Sequence, residues 1–538
     1  MIQIILSDIT FENDVYSLVK AFYPGETIKV SGEDENKENS SVNIEYNNSS
    51  SNRKVKTLEN ELPTIEAQPS VEERSSWKIL SSVEAIRFIN ISFSSEKISA
   101  LITFETGKEL LKSIELDASV KTKTKYKNIM KRFLYQLLSE VSQRELPWGI
   151  LTGIRPTKLV YDMLEKGLDD DSIRTSMREE YLCSDEKTTM SIRIAKRELE
   201  LLREIDYQNG YSLYIGIPFC PSTCLYCSFT SYSISKFSAY VEEYLNALEK
   251  EIEYGATCFP DKKLTTVYFG GGTPTTLTAE QLDRLLGSVK KHFDFTYVKE
   301  FCVEAGRPDS ITREKLLVLK KWGVDRISIN PQSMQQKTLD IIGRKHTIEQ
   351  TIEAFQLARE TGHENINMDI IIGLPGENTQ DVTSTLTQIK ALNPESLTVH
   401  TLALKRAARL NLEKENYIEL KATDVPAMLE ATIQYAEEND YIPYYLYRQK
   451  NMADNLENIG YSKFGKEGLY NILIMEEQQT ILALGAGAMS KFVFHEEHRI
   501  ERVDNVKSVT DYISRIDEMI QRKQDFIRDN RLKRAEGK

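Results

Sequence analysis

Three cysteines, Cys220, Cys224 and Cys227, stand within the stretch LYIGIPFCPSTCLYCSF of a chain that has only six. The C-x3-C-x2-C spacing puts three soft thiolates on one compact loop, a donor set suited to an iron–sulfur cluster or to zinc. A structural zinc site ordinarily takes four ligands, usually as two paired half-sites, and the sequence holds no second C-x2-C and no H-x3-H. Three thiolates around a cubane [4Fe–4S] cluster would leave one iron without a protein ligand, and an open iron is a place for chemistry. A second stretch with chemical content is YFGGGTPT, where Gly270, Gly271 and Gly272 leave a strand end without side chains, so that a backbone can approach a ligand closely. The six histidines are scattered and suggest neither a metal site nor a triad.

The elements that must position these residues are legible from residue 211 onward. LYIGIPF, TTVYFGGG, EFCVEAG, RISINPQS, INMDIIIGL and SLTVHTLAL read as strands, and amphipathic helical runs such as TAEQLDRLLGSVKKHF and TIEQTIEAFQLARETG lie between them. Strands alternating with helices imply βαβ units and a parallel sheet. Six such units predict a barrel, complete or partial, whose chemistry sits at the C-terminal ends of the strands. The cysteines follow the first strand at that end.

Outside this core, residues 1–122 read as a small N-terminal α/β domain. Its polar segment SGEDENKENSSVNIEYNNSSSNRK lies in an expected disordered insertion over about 31–76. Residues 123–208 read as a helical connecting region, interrupted by LPWGILTGIRPTKL, and 209–410 as the barrel. Residues 411–538 read as a mixed C-terminal region that covers the substrate and ends in a frayed tail, QRKQDFIRDNRLKRAEGK.

Length and composition bound the function. A chain of 538 residues is too long for one hydrophobic core, and 40% apolar with 28% charged residues is the composition of an ordinary globular protein. No apolar run reaches the ~18 residues of a membrane span. The N-terminus carries no basic, cleavable leader, so a cytoplasmic location is expected. A net charge of -12 argues against nucleic acid as a partner, and six cysteines are too few for a disulfide scaffold.

The cysteine spacing resembles the signature of the radical S-adenosylmethionine (SAM) superfamily. Within it, GIPFC, YFGGGTPT, GVDRISINPQS, GRKHT and NMDIIIGLPGE, in that order between about Leu213 and Met489, resemble the oxygen-independent coproporphyrinogen III dehydrogenases, above all their longer HemZ-like form. The resemblance implies a partial (β/α)6 radical SAM barrel. It implies a [4Fe–4S] cluster on Cys220, Cys224 and Cys227, with SAM chelated at the open iron and cleaved by electron transfer to give a 5′-deoxyadenosyl radical. Cofactor contacts would come from Tyr214, from Gly271, Gly272 and Thr273, and from the carboxylate of Glu304, while Gln332, Arg344 and Asp369 match polar positions that touch SAM or a second SAM molecule. Each lies at or just past the end of a predicted strand.

The activity so implied is oxidative decarboxylation of coproporphyrinogen III to protoporphyrinogen IX, with an electron donor such as flavodoxin or ferredoxin. The same family contains haem chaperones, and a radical SAM enzyme acting on another tetrapyrrole is a further alternative. The chain departs from the short enzymes at two positions: Phe229 stands where they carry a further cysteine, as in the haem-chaperone branch, and Gly216 where they carry a histidine. A macrocycle with four propionates needs cations around an apolar cavity. Arg406, Arg448 and Lys450 are the candidates, Arg448 first because Tyr444, Tyr445 and Tyr447 surround it.

Overall fold

The computed structural model describes residues 1–33, 84–117, 120, 122–153, 155–229, 231–403, 408–412, 422, 424–448 and 456–535. From residue 34 on, the expected insertion lies outside them. The chain forms two compact units, 1–152 with 180–182, and 153–179 with 183–538.

In the first unit, β1 (Ile2–Leu6) lies parallel to both β2 (Ile28–Gly32) and β3 (Ile86–Phe93), and β4 (Lys97–Phe104) and β5 (Glu109–Glu115) continue the sheet antiparallel. Alternate residues of β4, Ile98, Ala100, Ile102 and Phe104, are buried, as a sheet with one packed face requires. Two helices, Glu12–Phe22 and Lys123–Ser142, supply the rest of this core. The second helix corrects the expected boundary at 122. Its Met130, Phe133, Leu134, Leu137 and Leu138 form one apolar stripe that packs with the sheet residues, so it belongs to the N-terminal core and not to a connecting region.

In the second unit, β6 (Gly210–Ile217), β7 (Lys263–Gly271), β8 (Glu300–Gly306), β9 (Arg326–Ile329), β10 (Ile366–Ile372) and β11 (Ser396–Thr401) run parallel, in chain order. They are the six predicted strands. Both faces are covered, which is why they read as nearly continuous apolar runs. Three of the intervening helices begin at capping boxes, at Thr278, Thr347 and Asn378, where the cap side chain and that of the third helical residue satisfy each other's backbone N–H.

The barrel is partial. At one edge β11 pairs antiparallel with β13 (Asn458–Ser462), which carries β12 (Ile442–Tyr447). At the other, β6 pairs parallel with β14 (Thr480–Leu484), followed by the antiparallel β15 (Met489–Phe494) and β16 (Arg499–Asp504). The C-terminal region thus extends the sheet at both edges. Its tail does not begin to fray at residue 521 as expected: the helix Ile516–Ala535 continues through it, and Lys523 within it is fully buried. Among the described residues no helix is long and apolar enough to cross a membrane.

Candidate active site

The cysteine loop leaves the end of β6 and is fastened at several points. Tyr232 N–H donates to Pro218 O (2.7 Å), Leu225 N–H to Ile342 O (2.9 Å) and Leu410 N–H to Leu225 O (2.9 Å). The glycine run at the end of β7 packs directly against it. Gly272 and Thr273 donate their N–H groups to Ile217 O and Phe219 O, both at 2.7 Å. A Cβ on Gly272 would stand 2.5 Å from Phe219 O and 3.0 Å from Cys220 Sγ, and Gly271 has φ +111°, a conformation that side chains disfavour. The close approach that the glycines permit is therefore, in part, to the cysteine loop itself.

A cavity of about 440 Å³ opens at the C-terminal ends of the parallel strands. Cys220, Cys224 and Cys227 line it, and so do Tyr214, Gly271, Gly272 and Thr273. Glu304, Gln332, Arg344 and Asp369 line it as well, so all eight expected cofactor contacts meet in one place. Several polar atoms on its walls are buried without a hydrogen-bond partner: Gln332 Oε1, Ser328 Oγ, Asn330 Oδ1 and Arg344 Nε. Buried polar atoms are ordinarily satisfied, so four in one cavity mark a surface shaped for a polar ligand. Gln332 is also held at φ +68°, by backbone bonds to Asp369 O and from Ile371 N–H, both 2.9 Å. Strain in a non-glycine residue at a cavity wall is characteristic of functional sites.

Two carboxyl groups face the cavity in opposite electrostatic states. Burial pushes Glu304 up to about 7, a trend that the Asp369 charge reinforces and the hydrogen bond from Tyr268 Oη (2.5 Å) opposes. Burial also acts on Asp369, but His400, Asn367 and Thr398 outweigh it and hold this carboxyl below its usual range. Asn367 Nδ2 donates to Asp369 Oδ1 at 2.6 Å, and His400 Nε2 lies 3.8 Å from Oδ2 with Nδ1 3.3 Å from Tyr447 Oη. Near neutral pH the cavity thus holds one carboxylate and one carboxyl group poised to ionise.

The substrate cations fare differently. Arg448 is 3% exposed, does not line the cavity, and sits by Glu457 and Cys183, where burial lowers it to about 10. The reason is parity: Tyr445 and Tyr447 on β12 line the cavity, and the next residue turns the other way. Arg406 and Lys450 lie outside the described residues. Sequence reasoning missed Tyr268, His400 and Arg307. Tyr268 has the same strand parity as Gly270, His400 lies on β11, and Arg307 follows the last residue of β8, positions that the end-of-strand rule reaches.

A profile described as the radical SAM superfamily matches residues 214–389. The oxygen-independent coproporphyrinogen-III oxidase-like protein HemZ of Bacillus subtilis is 46% identical over 374 residues, 69% of this chain and 75% of that protein. The chain belongs to the radical SAM superfamily, in the HemZ-like family. A second relative, the heme chaperone HemW of Bacillus subtilis, is 34% identical over 281 residues, 52% of this chain and 70% of the relative. A solved structure of coproporphyrinogen III oxidase (HemN) from Escherichia coli, described as a radical SAM enzyme, aligns with a TM-score of 0.48 at 23% identity, over 58% of this chain and 70% of that one.

Radical SAM proteins use a [4Fe–4S] cluster and SAM, and the residues present fit both groups. The thiols of Cys220 and Cys227 are pushed up by burial, Cys220 to about 11, so loading a metal must displace their protons. A cradle of bare backbone beside them and unpartnered polar atoms on the cavity walls match a ligand with carboxylate, ammonium and hydroxyl groups.

Proposed function

We propose that this chain oxidatively decarboxylates coproporphyrinogen III to protoporphyrinogen IX. The observation that carries the reading is the convergence of three thiols and eight polar or glycine positions on one cavity at the strand ends. The name of the relative with 46% identity supports the choice of substrate. Cys220, Cys224 and Cys227 would hold three irons. Tyr214, Gly271, Gly272, Thr273 and Glu304 would hold SAM at the fourth, with Gln332 and Asp369 elsewhere on the cavity wall and Arg344 beside Cys224. When bound, cluster and SAM together supply hydrogen-atom abstraction. The chain's residues orient the partners and keep water out. Two of the four propionates would each lose one hydrogen atom, CO2 and one electron, the electron passing to an external one-electron acceptor, to leave a vinyl group. Tyr226, Tyr445 and Tyr447 offer the apolar wall that a macrocycle needs. The setting proposed is the cytoplasm, with flavodoxin or ferredoxin as electron donor; all six cysteines are free thiols.

A second reading, haem binding for delivery to other proteins, is favoured by Phe229. It lines the cavity beside the cysteine loop yet is 69% exposed, an aromatic side chain at the cavity mouth where a planar ligand could stack. Reaction of the reconstituted protein with SAM, reductant and coproporphyrinogen III under anaerobic conditions, read by mass spectrometry, separates the two. 5′-Deoxyadenosine together with loss of two CO2 supports decarboxylation. Intact substrate with stoichiometric haem binding moves the assignment to a chaperone, and a methylated or ring-opened tetrapyrrole would point to another radical SAM reaction.

Glu304 supplies a pH signature. SAM carries a sulfonium charge, which a carboxylate attracts and a carboxyl group does not. Because the carboxyl is raised to about 7, SAM affinity should increase as pH rises toward 7, by up to about tenfold per unit, and level off above it. Equilibrium binding of SAM at pH 6 and 8 checks this. A Glu304→Gln protein that kept the full pH dependence would exclude Glu304 as its source.

A further inference from the structure

Arg307 is the first residue beyond β8, after a turn at Gly306 (φ +58°), and its side chain runs back under the cysteine loop. It is 2% exposed, and each of its three guanidinium nitrogens makes at least one hydrogen bond. Nε and Nη2 grip Asp309 Oδ1 and Oδ2 at 2.9 and 2.6 Å, while Nη1 donates to Ser222 O at 3.1 Å, to Ser222 Oγ at 2.8 Å and to Cys224 Sγ at 3.7 Å. Burying a guanidinium is costly, and a link between strand and loop alone could be made by neutral groups. The bidentate grip of Asp309 fixes the fork on the side away from the sulfur. The remaining edge, with its N–H donor and positive charge, is aimed at Cys224. The guanidinium of Arg344 also faces this thiol.

We propose that Arg307 is a positioning residue that sets the reduction potential of the cluster through Cys224. The inference rests on the reading of Cys224 as a cluster ligand. One-electron reduction adds a negative charge to cluster and ligands. A fixed cation and an N–H···S hydrogen bond at a ligand sulfur stabilise that charge more than they stabilise the oxidised state, and so raise the potential. Asp309 opposes part of the effect, since its carboxylate lies on the same guanidinium. The two residues therefore act with opposite sign: without Arg307 the potential falls, and without the Asp309 charge it rises.

The test compares wild type, Arg307→Gln, Arg307→Lys and Asp309→Asn after anaerobic reconstitution. Iron and sulfide content and absorbance are recorded first, then the reduced cluster is titrated by electron paramagnetic resonance. Arg307→Gln should keep its cluster and lose about tenfold in the ratio of reduced to oxidised protein at the wild-type midpoint, a fall of about 59 mV for one electron. Arg307→Lys should fall less, and Asp309→Asn should rise. A fully loaded Arg307→Gln protein with the wild-type midpoint would overturn the inference and leave Arg307 a structural link. Should Arg307→Gln take up no cluster, Asp309→Asn decides: a rise supports the inference, an unchanged or lower midpoint rejects it. A Cys224→Ala protein that still took up the full cluster would remove the ligand reading and the inference together.

Discussion

Replacing Cys224 by alanine is expected to abolish the brown absorbance of the reconstituted protein and all cleavage of SAM, while the fold survives. Cys224 is buried within a loop whose backbone is fastened independently of its sulfur, through Leu225 N–H to Ile342 O and Leu410 N–H to Leu225 O. Alanine keeps those bonds and removes only the thiol, so far-ultraviolet circular dichroism should be unchanged. The loss at the site should nevertheless be total. Two thiolates leave a cubane with two unprotected irons instead of one. Cys220→Ala and Cys227→Ala should behave alike. Colour and 5′-deoxyadenosine formation in any of the three would contradict the ligand assignment.

The parts of this fold legible in the sequence are those whose signal is local. Parallel strands covered on both faces appear as apolar runs such as NMDIIIG, and the helices between them announce their starts as TAEQ, TIEQ and NTQD. The loop chemistry is local too, since three thiolates must share one loop and a glycine run must leave a strand end bare. What could not be read depends on partners distant in the chain. Nothing in TILAL says that it inserts beside β6, because the strand before it, β13, pairs at the opposite edge of the parallel strands and the helix Leu469–Glu476 between them does not reveal which edge comes next. Arg448 misled for a related reason. Its tyrosine neighbours do line the cavity, but strand parity separates it from them, and where the strand ends is not visible in YYLYRQK. Arg307 carries no signal in composition, since its meaning comes from Ser222 and Cys224, more than eighty residues earlier.

The C-terminal helix is the sharpest instance, and it yields the largest stability effect. Lys523→Ala should destabilise the protein by about 3–5 kcal/mol, seen as a lower denaturant midpoint, although it lies in a segment that looks like a solvated tail. Lys523 and Glu251 are both fully buried, with Nζ 2.7 Å from Oε1. Glu251 also accepts from Asn505 Nδ2 (2.9 Å), Tyr512 Oη (2.5 Å) and Gly485 N–H (2.8 Å), so one carboxylate ties the helix Val241–Gly255 to the C-terminal helices and to the turn after β14. Tyr244 continues this brace, donating to Gly216 O at 2.7 Å and accepting from Ala486 N–H at 3.1 Å, at the very end of β6 from which the cysteine loop departs. Removing the lysine leaves a buried carboxylate without its counter-charge, and that uncompensated charge, more than the lost attraction, is the cost. The distinction is measurable. If it holds, Glu251→Gln added to Lys523→Ala should recover part of the lost stability, because the amide is neutral, its oxygen can keep the bonds from Gly485 N–H and Tyr512 Oη, and its NH2 can turn toward the place the ammonium left; if the double variant is as unstable as the single, the cost lies in lost packing of the helix instead.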